Sequence, residues 1–283
     1  MLVAKTLFGV HNKIQQAQDT LIKYQILAPE GYILKFSGGK DSLVLYHLAK
    51  EAGVKFTPVF DLTTLDPPEV IRFVRDNYPD VIINRPQTTV WRLIVKKRMP
   101  PTRFRRFCCD VFKERPGTLF PGKLILTGVR WAESPRRKKR KVLETCQAYK
   151  GKSFLHPIID WEEEDVWEYI HLKGLEYCSL YDEGWKRIGC IGCPMSSIEI
   201  RERELARYPK YKQAFLKTFE RMLQAIKEHK GSNFEPPTQW KTPEDVYEWW
   251  LYGSEKIAQT LPQNELFVGD YYEQFELPNG LTN

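Results

Sequence analysis

Six consecutive residues, Ser37-Gly38-Gly39-Lys40-Asp41-Ser42, bring two glycines, an ammonium and two hydroxyls together, the makings of an anion cradle. Glycines let the backbone approach an anion with no Cβ in the way, and the first turn of a following helix offers unpaired N–H groups. Lys40 adds a point charge, and Ser37 and Ser42 add hydroxyls. The spacing departs from G-x-x-x-x-G-K-[ST], because Asp41 follows Lys40 and no glycine stands five residues before Gly39. An ordinary P-loop kinase or GTPase is therefore disfavoured.

A second set of reactive side chains consists of adjacent Cys108 and Cys109 and the later Cys190-x-x-Cys193-Pro194. Four thiolates suffice for zinc or an iron-sulfur cluster. An adjacent pair bends poorly around one tetrahedral ion, whereas a four-iron cubane offers separate corners, so the pattern favours a 4Fe-4S cluster. Zinc and plain reduced thiols stay open. Cys146 and Cys178 stand alone and read as small buried hydrophobes.

Cations flank both sets. Arg103, Arg105, Arg106 and Lys113 surround the first cysteine pair, while Arg130, Arg136 and Arg137 follow an apolar strand ending at Thr127. Forked guanidinium donors suit sulfate and phosphate oxygens. Glu133 is expected to orient these arginines, and His156, beside Pro157, reads as structural. The run Arg136-Arg137-Lys138-Lys139-Arg140-Lys141 allows three readings: a solvated loop, a lid over an anion, or a nucleic-acid contact.

Composition bounds the rest. A chain of 283 residues can bury one large α/β core and a smaller appended unit. At 42% hydrophobic and 28% charged residues, with no apolar run long enough for a membrane span and no secretory signal at the start, a cytoplasmic protein without membrane contact is expected. Six cysteines are too few for a disulfide scaffold, and a net charge of +7 favours anionic partners.

The elements that must position these residues alternate. Residues 11–28 read as a leading helix. Ile33–Phe36, Val54–Leu62, Val81–Ile83 and Lys123–Thr127 read as strands, and Ser42–Glu51, Glu69–Asn77 and Val90–Lys97 as helices. This order predicts an α/β fold, a mainly parallel twisted sheet with helices on both faces and the ligand crevice at the carboxyl ends of the strands. A helix is expected after Asp160, with Asp160 as its N-cap. Further helices are expected over Ile198–Tyr208, Tyr211–Glu228 and Thr242–Tyr252. The predicted organisation is a helical segment (1–30), a nucleotide-binding α/β domain (31–173), a cysteine segment with C-terminal helices (174–253) and an acidic tail (254–283).

The loop, Arg106-Phe107-Cys108-Cys109 to Lys113, Gly128-Val129-Arg130-Trp131-Ala132-Glu133-Ser134-Pro135-Arg136, and His156-Pro157-Ile158-Ile159-Asp160-Trp161 together resemble the phosphoadenosine phosphosulfate reductase family. That family lies within the PP-loop, adenine nucleotide alpha-hydrolase superfamily. The resemblance implies that Ser37, Gly38, Gly39, Lys40, Asp41, Ser42, Lys113, Gly128, Arg130, Arg136 and Arg137 bind a nucleotide phosphate. It assigns Lys40, Asp41, Arg130 and Arg136 to catalysis and Cys108, Cys109, Cys190 and Cys193 to a cluster. It implies reduction of an adenosine phosphosulfate (PAPS or APS) to sulfite, in sulfur metabolism and sulfate assimilation.

Reductases of the family usually attack sulfur with a tail cysteine and pass the product to thioredoxin; this sequence has no cysteine after Cys193. A thiol from a partner subunit of an oligomer, or from a small donor, is one expectation. Another is an ATP pyrophosphatase that uses Mg2+ to adenylate DNA, tRNA or a metabolite for sulfur transfer. A third is a non-catalytic subunit that binds nucleotide and cluster.

Overall fold

The computed structural model describes residues 2–6, 9–114, 123–145, 152–228 and 238–253. The acidic tail and Cys146 lie outside the described residues.

The chain opens with an antiparallel hairpin, β1 (Val3–Thr6) and β2 (Gly9–Asn12), where the sequence pattern suggested only a helix. Asn12 ends the hairpin and caps α1 (Lys13–Tyr24), its side chain accepting from the amides of Ile14 and Gln15. Then follow β3 (Tyr32–Lys35), α2 (Lys40–Glu51), β4 (Phe56–Asp61), α3 (Pro68–Asn77), β5 (Ile82–Asn84) and α4 (Val90–Lys97). The three-residue turn α5 (Phe107–Cys109) runs into a π-helical turn at Asp110–Glu114. After it come β6 (Leu124–Leu126), β7 (Leu143–Thr145), β8 (Ser153–Leu155) and α6 (Glu163–Leu172), and the described chain closes with α7 (Ile198–Arg207), α8 (Pro209–Glu228) and α9 (Pro243–Glu248).

Six strands form one sheet in the order β5-β4-β3-β6-β8-β7, parallel except for β7 at one edge. From β3 the chain moves outward through β4 to β5, then returns to place β6 on the other side of β3. The order reverses between β3 and β6, the place where sheets of this kind bind ligands beyond the carboxyl ends of their strands. One loop starts at Phe36 and carries Ser37 to Ser42; the other starts at Thr127 and carries Gly128 and Arg130.

Alternation along the strands sorts side chains to two faces. Tyr32 and Leu34 join Leu43, Val44, Leu48, Val70, Val74, Trp161, Val166 and Ile170 in the main core, so α2, α3 and α6 pack on one face. Ile33, Val59 and Ile125 are buried on the other. A second core joins α4 to α7, α8 and α9 around Phe215, Phe219 and Trp250.

Helix α6 starts later than the sequence suggested. Glu162, not Asp160, is its N-cap, and Asp165 returns a hydrogen bond to the Glu162 amide in a capping box. Asp165 is fully buried and paired with Lys13 of α1, and the Asp160 carbonyl accepts from the same ammonium. Long-range pairing thus sets the helix start.

Candidate functional site

The loop is built from its own short-range bonds. The Ser42 hydroxyl donates to the Gly39 carbonyl at 2.8 Å, accepts from the Ser37 amide at 3.1 Å and lies 3.1 Å from the Ser37 hydroxyl. Gly38 has φ +71°, and a Cβ there would meet Val70 at 2.8 Å, so both conformation and space call for glycine. Gly39 precedes α2, whose first-turn amides therefore face the crevice end of the sheet.

Gly128 answers the loop from β6. A Cβ on it would stand 2.9 Å from both the carbonyl carbon and oxygen of Asp41. Two residues on, Arg130 is buried and spans the loop: its Nε meets Asp41 at 2.6 Å, one terminal nitrogen meets Glu163 at 2.8 Å, and the other donates to the Trp161 carbonyl at 3.3 Å. Lys40, also buried, holds Glu163 at 3.1 Å and donates to the Lys186 carbonyl at 3.0 Å. Two cations and two carboxylates therefore lock the loop to α6. Burial pushes the Asp41 carboxyl above its usual range against the pull of Arg130 and Lys40. Burial also opposes ionisation of Glu163, but Lys40 and Arg130 outweigh it and hold that carboxyl low.

The remaining arginines divide. Glu133 accepts from the Arg130 amide at 2.9 Å and pairs with Arg137. Arg136 is exposed and joins no ion pair among the described residues. Arg103 donates to the carbonyls of Pro194 and Ser196, and so ties the two cysteine segments together instead of facing an anion. His156 is fully buried, its Nδ1 2.6 Å from the Thr127 hydroxyl, and burial lowers its pKa to about 4. Cys178 is buried in the main core.

Cys108, Cys109, Cys190 and Cys193 converge across the eighty residues that separate the pairs. A hydrogen bond to Cys109, burial and the three other thiols raise the Cys108 pKa; the same bond, with Lys113 and Arg106 nearby, lowers that of Cys109. Lys113 is held protonated by Cys190 and, less strongly, by Cys109, Cys193 and Asp66. Among the described residues no group of three or more His, Cys, Asp or Glu side chains is arranged to hold a metal ion. In number and chemistry, four thiols match the donors that a multi-iron centre requires.

The Cys190–Cys193 turn is firmly set. The Ile191 amide donates to the Leu65 carbonyl at 2.8 Å, and the Gly192 amide to the buried Glu204 carboxyl at 2.7 Å. Gly192 has φ +70°, and a Cβ would lie 2.9 Å from Trp250.

A cleft of about 190 Å³ has both Ser37 of the loop and Cys190 of the second cysteine pair in its lining. Lys35, Asp61, Thr63, Asp66 and Lys113 line it as well, and the Cys190 thiol lies 3.4 Å from the Thr63 hydroxyl. Glu163, Tyr181, Thr63 and Asp66 were not singled out by sequence reasoning. Only the acidic start of α6 hinted at Glu163, and no local pattern marks a residue that acts across such sequence distances.

A glycine loop at the switch point of a doubly wound sheet defines an α/β protein built on the nucleotide-binding plan. The phosphoadenosine phosphosulfate reductase domain profile matches residues 31–196, more than half the chain, which therefore belongs to that family. The chain is 30% identical over 210 residues to an uncharacterised protein of Methanocaldococcus jannaschii, covering 70% of this chain and 50% of that protein. It thus spans about half the length of that curated relative. It is 26% identical over 211 residues to adenosine 5'-phosphosulfate reductase of Staphylococcus epidermidis, covering 70% of this chain and 86% of the relative. It is also 26% identical over 194 residues to a probable FAD synthase of Schizosaccharomyces pombe, covering 66% and 69%. No helix among the described residues is long and apolar enough to cross a membrane.

Proposed function

We propose that the chain binds an adenosine phosphosulfate, PAPS or APS, along the cleft and reduces its sulfate to sulfite. The observation that carries this reading is a single cleft lined both by Ser37 of the anion loop and by Lys113 and Cys190 of the cysteine segments. The amides and hydroxyls of Ser37 to Ser42 hold the phosphate, and Lys40 offsets its charge. Arg130 and Asp41 keep the loop in shape, and Arg136 and Arg137 are the further cations proposed to meet the anion.

In the reaction a thiolate supplied in trans attacks the sulfur, the bond from sulfur to the bridging phosphate oxygen breaks, and the nucleotide leaves as its 5'-phosphate. A second thiol then attacks the sulfonated one, sulfite departs and a disulfide forms, so two thiols provide the two electrons. Thioredoxin or a partner subunit fits this donor role. Cys108, Cys109, Cys190 and Cys193 would hold a 4Fe-4S cluster that ties the two cysteine segments together beside the cleft.

Similarity to the probable FAD synthase supports a second reading. Here ATP, with Mg2+, occupies the loop, an acceptor is adenylated, and pyrophosphate leaves. One experiment separates the readings. Cluster-replete protein is incubated with reductant and, separately, PAPS, APS and ATP with candidate acceptors. Sulfite from a phosphosulfate supports reduction, pyrophosphate from ATP supports adenylation, and tight nucleotide binding without either product leaves a binding subunit and refutes both reactions.

A further inference from the structure

The first amide of α2 is engaged by a side chain from far along the sequence. The Lys40 N–H donates to the Tyr181 hydroxyl at 2.9 Å, and that hydroxyl stands 3.4 Å from where a Cβ of Gly39 would be. The Lys40 ammonium lies 5.4 Å above the Tyr181 ring and donates to the Lys186 carbonyl at 3.0 Å. Two oxygens of one segment thus sit on the donors that the loop would offer a phosphate. Burial keeps the phenol protonated, a neutral substitute for an anion oxygen.

The same segment leads into the cysteine turn. Tyr181 is wedged against Trp167 and Tyr177, with centroids 5.1 and 6.3 Å away. Beyond it Arg203 lies 4.1 Å over Trp185 and donates to the carbonyls of Glu183 and Gly184. Gly184 has φ +82°, and Gly189, just before Cys190, has open space where its Cβ would be. The link is braced along its middle, and at Gly189 no atom crowds the backbone position.

We propose that Tyr181 gates the phosphate subsite: its hydroxyl holds the place of an anion oxygen on the Lys40 amide, and a bound phosphate displaces it and shifts the segment leading to Cys190. This rests on reading the loop as the phosphate subsite, and it makes loop occupancy felt at the thiols. The competition is modest, because a neutral hydrogen bond exchanged for water contributes about 0.5–1.5 kcal/mol.

Tyr181→Phe removes one oxygen and keeps the ring packing. Its binding of inorganic pyrophosphate, measured by calorimetry on the full chain, is expected to be about 2- to 10-fold tighter than wild type. Hydrogen exchange gives the second readout. Pyrophosphate should speed exchange over residues 179–189 in wild type, and Tyr181→Phe should exchange fast there without it. Equal or weaker binding by the variant overturns the gate, since the hydroxyl is then neutral or itself a phosphate ligand. Unchanged exchange overturns the link to the cysteines. Absence of pyrophosphate binding by either protein overturns the phosphate subsite itself, whereas failure to make sulfite with normal pyrophosphate binding refutes only the proposed reaction.

Discussion

Gly128→Ala tests the meeting of β6 with the loop most directly. The new methyl would lie 2.9 Å from the Asp41 carbonyl carbon and oxygen and 3.1 Å from its Cβ. Backbone atoms cannot rotate away, so relief requires a shift of several tenths of an ångström between the start of α2 and the end of β6. Such overpacking costs about 1–3 kcal/mol. The shift falls on Asp41, whose carboxylate holds Arg130 at 2.6 Å, so the loop should lose its shape as well as its stability. Urea denaturation should show a loss of about 1–3 kcal/mol with unchanged slope, and calorimetry should show about 10-fold weaker pyrophosphate binding, equivalent to roughly 1.4 kcal/mol. Gly189→Ala is the control for stability: a Cβ there meets nothing within 4 Å, and the change should stay within about 0.5 kcal/mol. If Gly128→Ala matches wild type in both measurements, the close approach of the two loops is refuted.

Arg130→Ala leaves Asp41 and Glu163 without their shared cation. Because those side chains are 25% and 44% exposed, water screens much of the loss, and urea denaturation should show about 2 kcal/mol, partly restored by adding Asp41→Asn. Burial raises the Glu204 carboxyl from 4.5 to about 7 in the folded chain. Its contribution is full below the unfolded value of 4.5 and lost as pH rises through about 7, a fall of about 3 kcal/mol that Glu204→Gln should abolish in stability measured against pH. Anaerobically purified protein should carry about four irons and visible absorbance, both lost in Cys193→Ser; zinc, or no metal, in the wild type would refute the cluster.

The parallel strands were legible because burial on both faces leaves short apolar runs, such as Tyr32-Ile33-Leu34, between turn residues. The hairpin β1–β2 and the three-residue β7 and β8 were not, since their sequences are too short to carry a period and β7 is defined by pairing with β8. Loop residues Ser37 to Ser42 announced themselves through local chemistry. Arg103 did not announce its role: beside two cysteines it looks like an anion ligand, yet the fold puts the Pro194 and Ser196 carbonyls within its reach. Glu163 and Tyr181 touch Lys40 from more than a hundred residues away. Pairings of that kind come from topology, which brings the start of α6 and the cysteine segment over the start of α2.

The charges around the loop bear on what it can accept. Lys40 and Arg130 are matched by Asp41 and Glu163, so the buried network is close to neutral before any ligand arrives. An anion at the loop competes with Glu163 for Lys40, and withdrawal of Glu163 frees that charge for it. Under the proposed reduction, a phosphosulfate would bring less charge than a pyrophosphate to the same place, with Lys113 in the cleft lining available to its sulfate. Glu163, 44% exposed at the rim, is the member of the quartet that can leave at least cost, whereas Arg130, 3% exposed and bonded on three sides, cannot. Arg130 is thus the fixed charge of the loop and Lys40 the one whose partner can move, so an anion bound there is expected to draw on Lys40.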